Sequence, residues 1–244
     1  MIEKNLEGKS IAIVAMGESQ LDFHLSLIHS NVYDEVWGIN CMGAITKCDR
    51  VFMLDPPSRF LDTDDAGTQT GIMRRWLPEN KVPIYTCTLD ERVPSAILYP
   101  LEEVAQATDS AYFNNTVPYA FAFALYNKVK ALNLFGIDFS YKGNVHFAEA
   151  GKGCCEFWLA KCIEAGMIIN VAPRSGLLDT NSPIEERLYG YHRLDDPDIL
   201  VVDSEGTYRQ VKLSWYNEKL REEQLKNITE IRSVIDGPPE AKRY

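Results

Sequence analysis

Short apolar runs alternate along this chain with stretches of helical spacing, and turn residues separate them. Residues 11–16 (IAIVAM) read as a buried strand, and LDFHLSLIHS follows with Leu21, Leu25 and Ile28 at helical spacing. Further strands are predicted at 36–40 (VWGIN), at 50–54 (RVFML, closed by Asp55-Pro56-Pro57) and at 82–86 (VPIYT), with a helix over 72–77. The polar stretch 62–70 predicts a mobile segment or a lid. A long helix is predicted over 117–129, with Pro118 tolerated in its first turn and Asn115 or Thr116 as its N-cap.

The run LNLFGIDFSY predicts a strand ending at Gly136, followed by a Gly-rich polar loop over 142–153. A helix, CCEFWLAKCIEAG, stops at Gly166, and a strand over 167–171 is closed by Pro173-Arg174-Ser175-Gly176. This alternation predicts an α/β fold with a doubly wound, mainly parallel sheet. Beyond residue 180 the pattern changes. Residues 199–203 and 207–213 read as a β-hairpin, and 215–235 as an amphipathic helix with Leu220, Leu225, Ile228, Ile231 and Ile235 near one face. The domains expected are therefore 1–180, with a lid-like loop about 140–153, and a C-terminal extension, 181–244, suited to packing or homo-oligomer formation.

Composition narrows the function classes. The chain has 244 residues, 45% hydrophobic and 25% charged, as in soluble globular domains. No apolar run approaches the roughly 20 residues that span a bilayer, and MIEKNLEGKS has no signal-like apolar core, so a cytoplasmic protein is expected. A net charge of −10 opposes non-specific nucleic-acid binding, with Arg74, Arg75 and Lys81 the best local basic patch. The six cysteines include no CxxC pair and predict buried thiols, with Cys155 and Cys162 able to share one helix face.

Candidate chemistry gathers at the predicted strand ends, because the carboxyl ends of a parallel sheet form the ligand crevice. Gly17-Glu18-Ser19 opens a helix after the first strand, where backbone N–H groups attract phosphate or Ser19 merely caps. Asn40 and Asp55 close the next two strands. Asn115-Thr116 precede the strand ending at Gly136, and Asp138 follows it, placed to bind a ribose or sugar hydroxyl. His146 in its polar loop is a candidate general base, with Tyr141 and Lys142 able to hold a leaving phosphate. Gly8-Lys9-Ser10 is no P-loop, since Glu3 stands where that motif needs glycine and the segment precedes its strand. Asp62-Thr63-Asp64 and Asp196-Pro197-Asp198 fit only a loose metal-binding triplet.

The series AMGESQL, a strand ending at Asn40, VFMLDP, NNTVPYAFAFALYNKVKALNLFGIDFSY, His146 and MIINVAPRSGLL resembles a Rossmann-like superfamily. That superfamily contains the bacterial family 42 sialyltransferases and the MptE-like 6-hydroxymethylpterin diphosphokinases, and small phage-encoded proteins look similar. The GIDF segment, Gly136 to Phe139, matches residue for residue. The first loop keeps its glycine and serine but loses the asparagine and proline of GNGPSL, and the closing residues correspond to Pro173, Ser175 and Leu177. The resemblance implies that Gly17, Ser19, Asn40, Asp55, Asn115, Thr116, Gly136 and Asp138 surround a nucleotide. It also implies a shortened lid with Tyr141 on the phosphate and His146 as base. The expected activity is glycosyl transfer from a nucleotide-sugar to a hydroxyl acceptor, with no metal required. The alternatives are a pyrophosphokinase using Mg²⁺-ATP, with Asp55 and Asp138 as metal ligands, or a non-catalytic nucleotide-binding protein.

Overall fold

The computed structural model describes residues 6–29, 32–140, 144–182, 187, 196, 198–202 and 208–226. The chain divides into two compact units, Met1–Pro183 and Ile184–Tyr244. The first unit begins with β1 (Ser10–Val14), α1 (Gln20–Ile28), β2 (Glu35–Ile39), α2 (Met42–Ile45) and β3 (Arg50–Phe52). It continues with α3 (Pro57–Leu61), α4 (Gln69–Trp76), β4 (Ile84–Thr86), β5 (Ala96–Leu98) and α5 (Leu101–Thr108). It ends with α6 (Thr116–Tyr126), β6 (Ala131–Phe135), α7 (Val145–Glu164), β7 (Ile168–Val171) and a 3₁₀ turn, Leu177–Asp179. The strands form one sheet in the order β5-β4-β3-β2-β1-β6-β7, parallel at every pairing. This is the doubly wound α/β fold that the alternating pattern predicts.

β1 shows how one strand serves both faces. Ile11 and Ile13 are buried in the cluster that holds Phe121 and Phe123 of α6 and Trp158 of α7. Ala12 and Val14 point the other way, into a cluster with Phe23 of α1 and Met42 of α2. The period-two alternation of side chains thus feeds two cores, which is why the strand reads as continuously apolar. On the α1 side, Val51 and Met53 also meet Phe60 of α3 and Met73 of α4. α6 is buried nearly all round, which its sequence, TVPYAFAFALY, allows.

Two helices depart from expectation. Leu21, Leu25 and Ile28 mark the helical spacing of α1, yet they are 55%, 47% and 74% exposed. The buried face is instead Asp22, Phe23 and Ser26. Phe23 packs edge-on to Phe135 with ring centroids 5.5 Å apart, while Asp22 accepts from Arg174 Nε at 3.0 Å. An ion pair to Arg174 through Oδ1 compensates the buried carboxylate, although Oδ2 finds no partner among the described residues, so a polar face can pack where an apolar stripe was expected. The polar loop predicted over 142–153 is helical from Val145 onward. Asn144 caps α7 by accepting from Phe147 N–H at 3.3 Å, and Gly151 lies so close to Phe139 that a Cβ there would sit 2.6 Å from its ring. Close packing outweighs the roughly 1 kcal/mol that a mid-helix glycine costs. Cys155 and Cys162 do share the buried face of α7, and burial pushes the Cys162 thiol up to about 12. Of the six cysteines only Cys87 is exposed.

Three arginines pair with acids of the segment 62–70 at the surface. Arg92 grips Asp62 at 2.6 and 2.9 Å, Arg74 reaches Asp64 at 2.8 Å, and Arg59 lies 3.5 Å from Asp65. These contacts also account for the first acidic triplet and for Arg74 of the basic patch. β5 and α5 carry no sequence expectation of their own. β5 is only three residues long, too short for a period to show.

In the second unit β8 (Asp198–Val202) and β9 (Tyr208–Lys212) form an antiparallel pair, and α8 (Leu213–Lys226) follows directly. The predicted strand thus stops one residue before Leu213. Asp196 accepts from Ser214 N–H at 2.8 Å and from its hydroxyl at 2.9 Å, and Asp198 pairs with Lys212 at 3.0 Å. The second acidic triplet is therefore a helix-start device. The remainder of the predicted helix, 227–235, lies outside the described residues. Among the described residues no helix is long and apolar enough to cross a membrane.

Candidate functional site at the switch point of the sheet

Strand order reverses between β1 and β6: the chain winds outward through β2 to β5 on one side and through β6 and β7 on the other. At such a point the two strand-end turns diverge and leave a crevice. Here the turns are first stitched together. Ala15 N–H donates to Phe135 O at 2.8 Å, and Gly17 N–H donates to Gly136 O at 2.8 Å. Gly136 adopts φ +70, and a Cβ there would lie 2.6 Å from the carbonyl carbon of Ala15. Glycine is required both by the left-handed conformation and by the approach of the neighbouring strand.

Ser19 and Asp138 complete this junction. Ser19 is fully buried. Its N–H donates to Asp138 Oδ2 at 2.8 Å, its hydroxyl donates to Asp138 Oδ1, and the same hydroxyl accepts from Gly136 N–H at 2.8 Å. Ser19 makes no side-chain cap on α1. It braces β1 to β6 from beneath the cleft. Ser175 is likewise buried; its hydroxyl donates to Ile137 O at 2.6 Å and accepts from Leu177 N–H at 3.1 Å. It locks the loop after β7 under the turn that carries Asp138.

Above the junction is a cleft of about 770 Å³. Gly17, Asn40, Asp55, Asn115, Thr116, Gly136 and Asp138 all line it. They come from the ends of β1, β2, β3 and β6 and from the start of α6. Ser19 and Ser175 lie behind this wall. His146 is on the first turn of α7 and does not line the cleft, although Phe147, Ala150 and Gly151 of the same helix do. Its side chain is fully exposed, with Glu149 3.8 Å from Nδ1. Tyr141 and Lys142 lie outside the described residues.

The lining polar groups differ in how far they are already engaged. Asn115 is the N-cap of α6: its carbonyl oxygen accepts from Val117 N–H at 3.1 Å and its amide donates to Asn114 Oδ1 at 2.8 Å. Asn114 in turn donates to Ala150 O at 2.8 Å and ties α6 to α7. Asn40 is the opposite case. Its backbone is left-handed at φ 51, and its side-chain oxygen is buried with no hydrogen-bond partner among the described residues. A strained backbone and an unsatisfied buried acceptor together mark a position shaped for something other than stability.

Arg59, on α3, lines the cleft and was not foreseen. It donates to Asp55 Oδ1 at 2.6 Å, and this bond is the main cause that raises its already high pKa. The only sequence signal for it is its position four residues after Asp55 on a short helix, an ion-pair spacing common on any surface. Among the described residues no group of three or more His, Cys, Asp or Glu side chains comes together as a metal site.

Fold and cleft together define a Rossmann-like, doubly wound α/β protein with a cleft of mixed polar and apolar lining at its topological switch point. No protein-family model matches the chain, and no curated protein does. Two solved structures are similar to it: the sialyltransferase CstII from Campylobacter jejuni in complex with CMP-3FNeuAc, and the same protein in complex with cytidine-5'-monophosphate. The first is 20% identical over 68% of this chain and 82% of that one, with a TM-score of 0.44. The second is 18% identical over 69% and 82%, with a TM-score of 0.43. A likeness of this depth bears on neither activity nor ligand.

Proposed function

We propose that the cleft binds a nucleotide-activated sugar and that the protein is a glycosyltransferase-like enzyme acting on a hydroxyl acceptor. The observation that carries this reading is convergence. Four strand ends and the start of α6 deliver polar side chains to one cleft at the switch point, where open α/β sheets bind their ligands. Its volume, about 770 Å³, suits a ligand of nucleotide-sugar size. Asn40 lines the cleft, and a turn of its side chain would bring its buried, unpartnered oxygen to a base or sugar donor group. Asp138 and Asp55 keep lone pairs for ligand hydroxyls beyond the bonds they already accept.

In the proposed reaction the acceptor oxygen attacks the anomeric carbon of the donor. His146 takes the acceptor proton, and the bond between that carbon and the phosphate oxygen breaks with its electron pair leaving on the nucleotide. An exposed His146, one residue before the cleft-lining Phe147, suits an acceptor that arrives from solvent. Tyr141 is proposed as a donor to the departing phosphate. The transfer as written needs no metal ion.

Thermal-shift measurements with CMP, UDP, GDP and ATP, each with and without Mg²⁺, test the reading. Stabilisation by CMP or a nucleoside diphosphate without Mg²⁺ is expected. Stabilisation by Mg²⁺-ATP alone would redirect the assignment to pyrophosphoryl transfer, and no response to any of the four would overturn it. Donor hydrolysis that survives His146→Ala would remove that residue as the base.

A further inference from the structure

Arg59 is the only Lys, Arg or His among the described residues that line the cleft, and three carboxylates, Glu18, Asp55 and Asp138, line it too. A phosphate entering such a cleft has two conventional seats, the amino termini of α1 and α6. The chain itself takes up part of each. At α1 the Asp138 carboxylate takes the Ser19 N–H at 2.8 Å and the Ser19 hydroxyl. At α6 the Asn115 side chain takes the Val117 N–H at 3.1 Å, and the next residue, Pro118, has no N–H to offer. What these partly filled seats lack is a positive side chain, and Arg59 is placed to supply it.

Arg59 is free to move toward an anion. Its pairing with Asp55 is 2.6 Å long but open to water, the two side chains being 40% and 29% exposed. Asp65, the second acid, is 3.5 Å from Nε and 65% exposed. Exposed pairs of this kind contribute little, whereas a phosphate offers the planar guanidinium two parallel charge-assisted bonds. We propose that Arg59 is the phosphate anchor of the cleft, held by Asp55 until the phosphate of a bound nucleotide displaces that carboxylate. This deepens the nucleotide reading and rests on it.

The test compares a nucleoside with its 5'-monophosphate, so that the ratio of the two affinities reports the phosphate alone. Calorimetric titrations with cytidine and CMP, uridine and UMP, and guanosine and GMP are made on the wild-type chain, Arg59→Met and Asp55→Asn. The wild type is expected to prefer the monophosphate. Arg59→Met lowers that preference about tenfold or more and leaves the nucleoside affinity unchanged. Asp55→Asn raises it, because the competing carboxylate is gone. A preference unmoved by Arg59→Met overturns the anchor and leaves the nucleotide reading standing; one that falls in Asp55→Asn overturns the displacement of Asp55. Failure of the wild type to bind any of the six compounds overturns the anchor and the nucleotide reading together.

Discussion

One arginine–carboxylate pair joins the amino ends of β2 and β3, another lies past the carboxyl end of β3, and the two are built differently. At the amino ends, Arg50 Nε meets Glu35 at 2.7 Å with side chains 10% and 2% exposed. Glu35 also accepts from Trp37 Nε1 at 2.9 Å, and Arg50 donates to the Tyr85 hydroxyl at 2.8 Å. Phe52 stacks on Tyr85 with centroids 5.0 Å apart and closes the aromatic layer over them. At the carboxyl ends, Arg59 and Asp55 make a bond just as short in the open cleft, beside an Asn40 oxygen with no partner. Distance does not separate a structural pair from an exchangeable one. Burial and the number of additional bonds do. A desolvated pair must keep its partners, because losing one strands a charge in a poor solvent. A wet pair can trade its partner for a ligand at little cost.

The largest effect that follows is on stability. Glu35→Ala leaves the Arg50 guanidinium buried without its carboxylate and is expected to cost about 3–5 kcal/mol in urea unfolding. Asp55→Ala, measured alongside, should cost no more than about 1 kcal/mol. Equal losses would break the comparison. Next in size is the junction that floors the cleft. Gly136→Ala forces a Cβ into left-handed backbone and toward Ala15, with an expected loss of about 2–3 kcal/mol. A neutral result there would mean that the turns after β1 and β6 are not held in the register on which the cleft depends.

Much of this arrangement is legible in the sequence, for physical reasons that differ by element. β1, β2 and β6 are five residues long, and their apolar runs give them away. α6 announces itself through Asn115, Pro118 and its length. The crevice follows from parallel strands, so Gly17, Asn40, Asp55, Gly136 and Asp138 can be placed at one edge without coordinates. What stays hidden is side-chain direction and partnership. Leu21 and Leu25 keep a helical period yet face outward, because the Asp22–Arg174 pair spans 152 residues and no local pattern contains it. The helix start at Val145 is masked by two glycines, of which Gly151 makes sense only against Phe139. Ser19 reads as a cap or a phosphate ligand, and its hydroxyl is spent instead on Asp138 and Gly136.

The smallest effect is the most telling, because its sign is reversed. Asn40 holds a left-handed backbone at φ 51, which costs a non-glycine residue about 1 kcal/mol, with asparagine at the tolerant end. It also buries an oxygen that no described group satisfies. Glycine removes both penalties, and against this stands the greater chain entropy that glycine gives up on folding, about 0.5–1 kcal/mol. Asn40→Gly is therefore expected to stabilise the protein by roughly 0.5 kcal/mol, a rise of one or two degrees in melting temperature. If the orphaned oxygen is kept for a ligand, the same variant should bind the monophosphate found in the calorimetric screen about tenfold more weakly, the loss of one hydrogen bond to a buried acceptor. Lower stability together with unchanged affinity would make Asn40 an ordinary turn residue. The carboxyl end of β2 would then be no more specialised than the amino end.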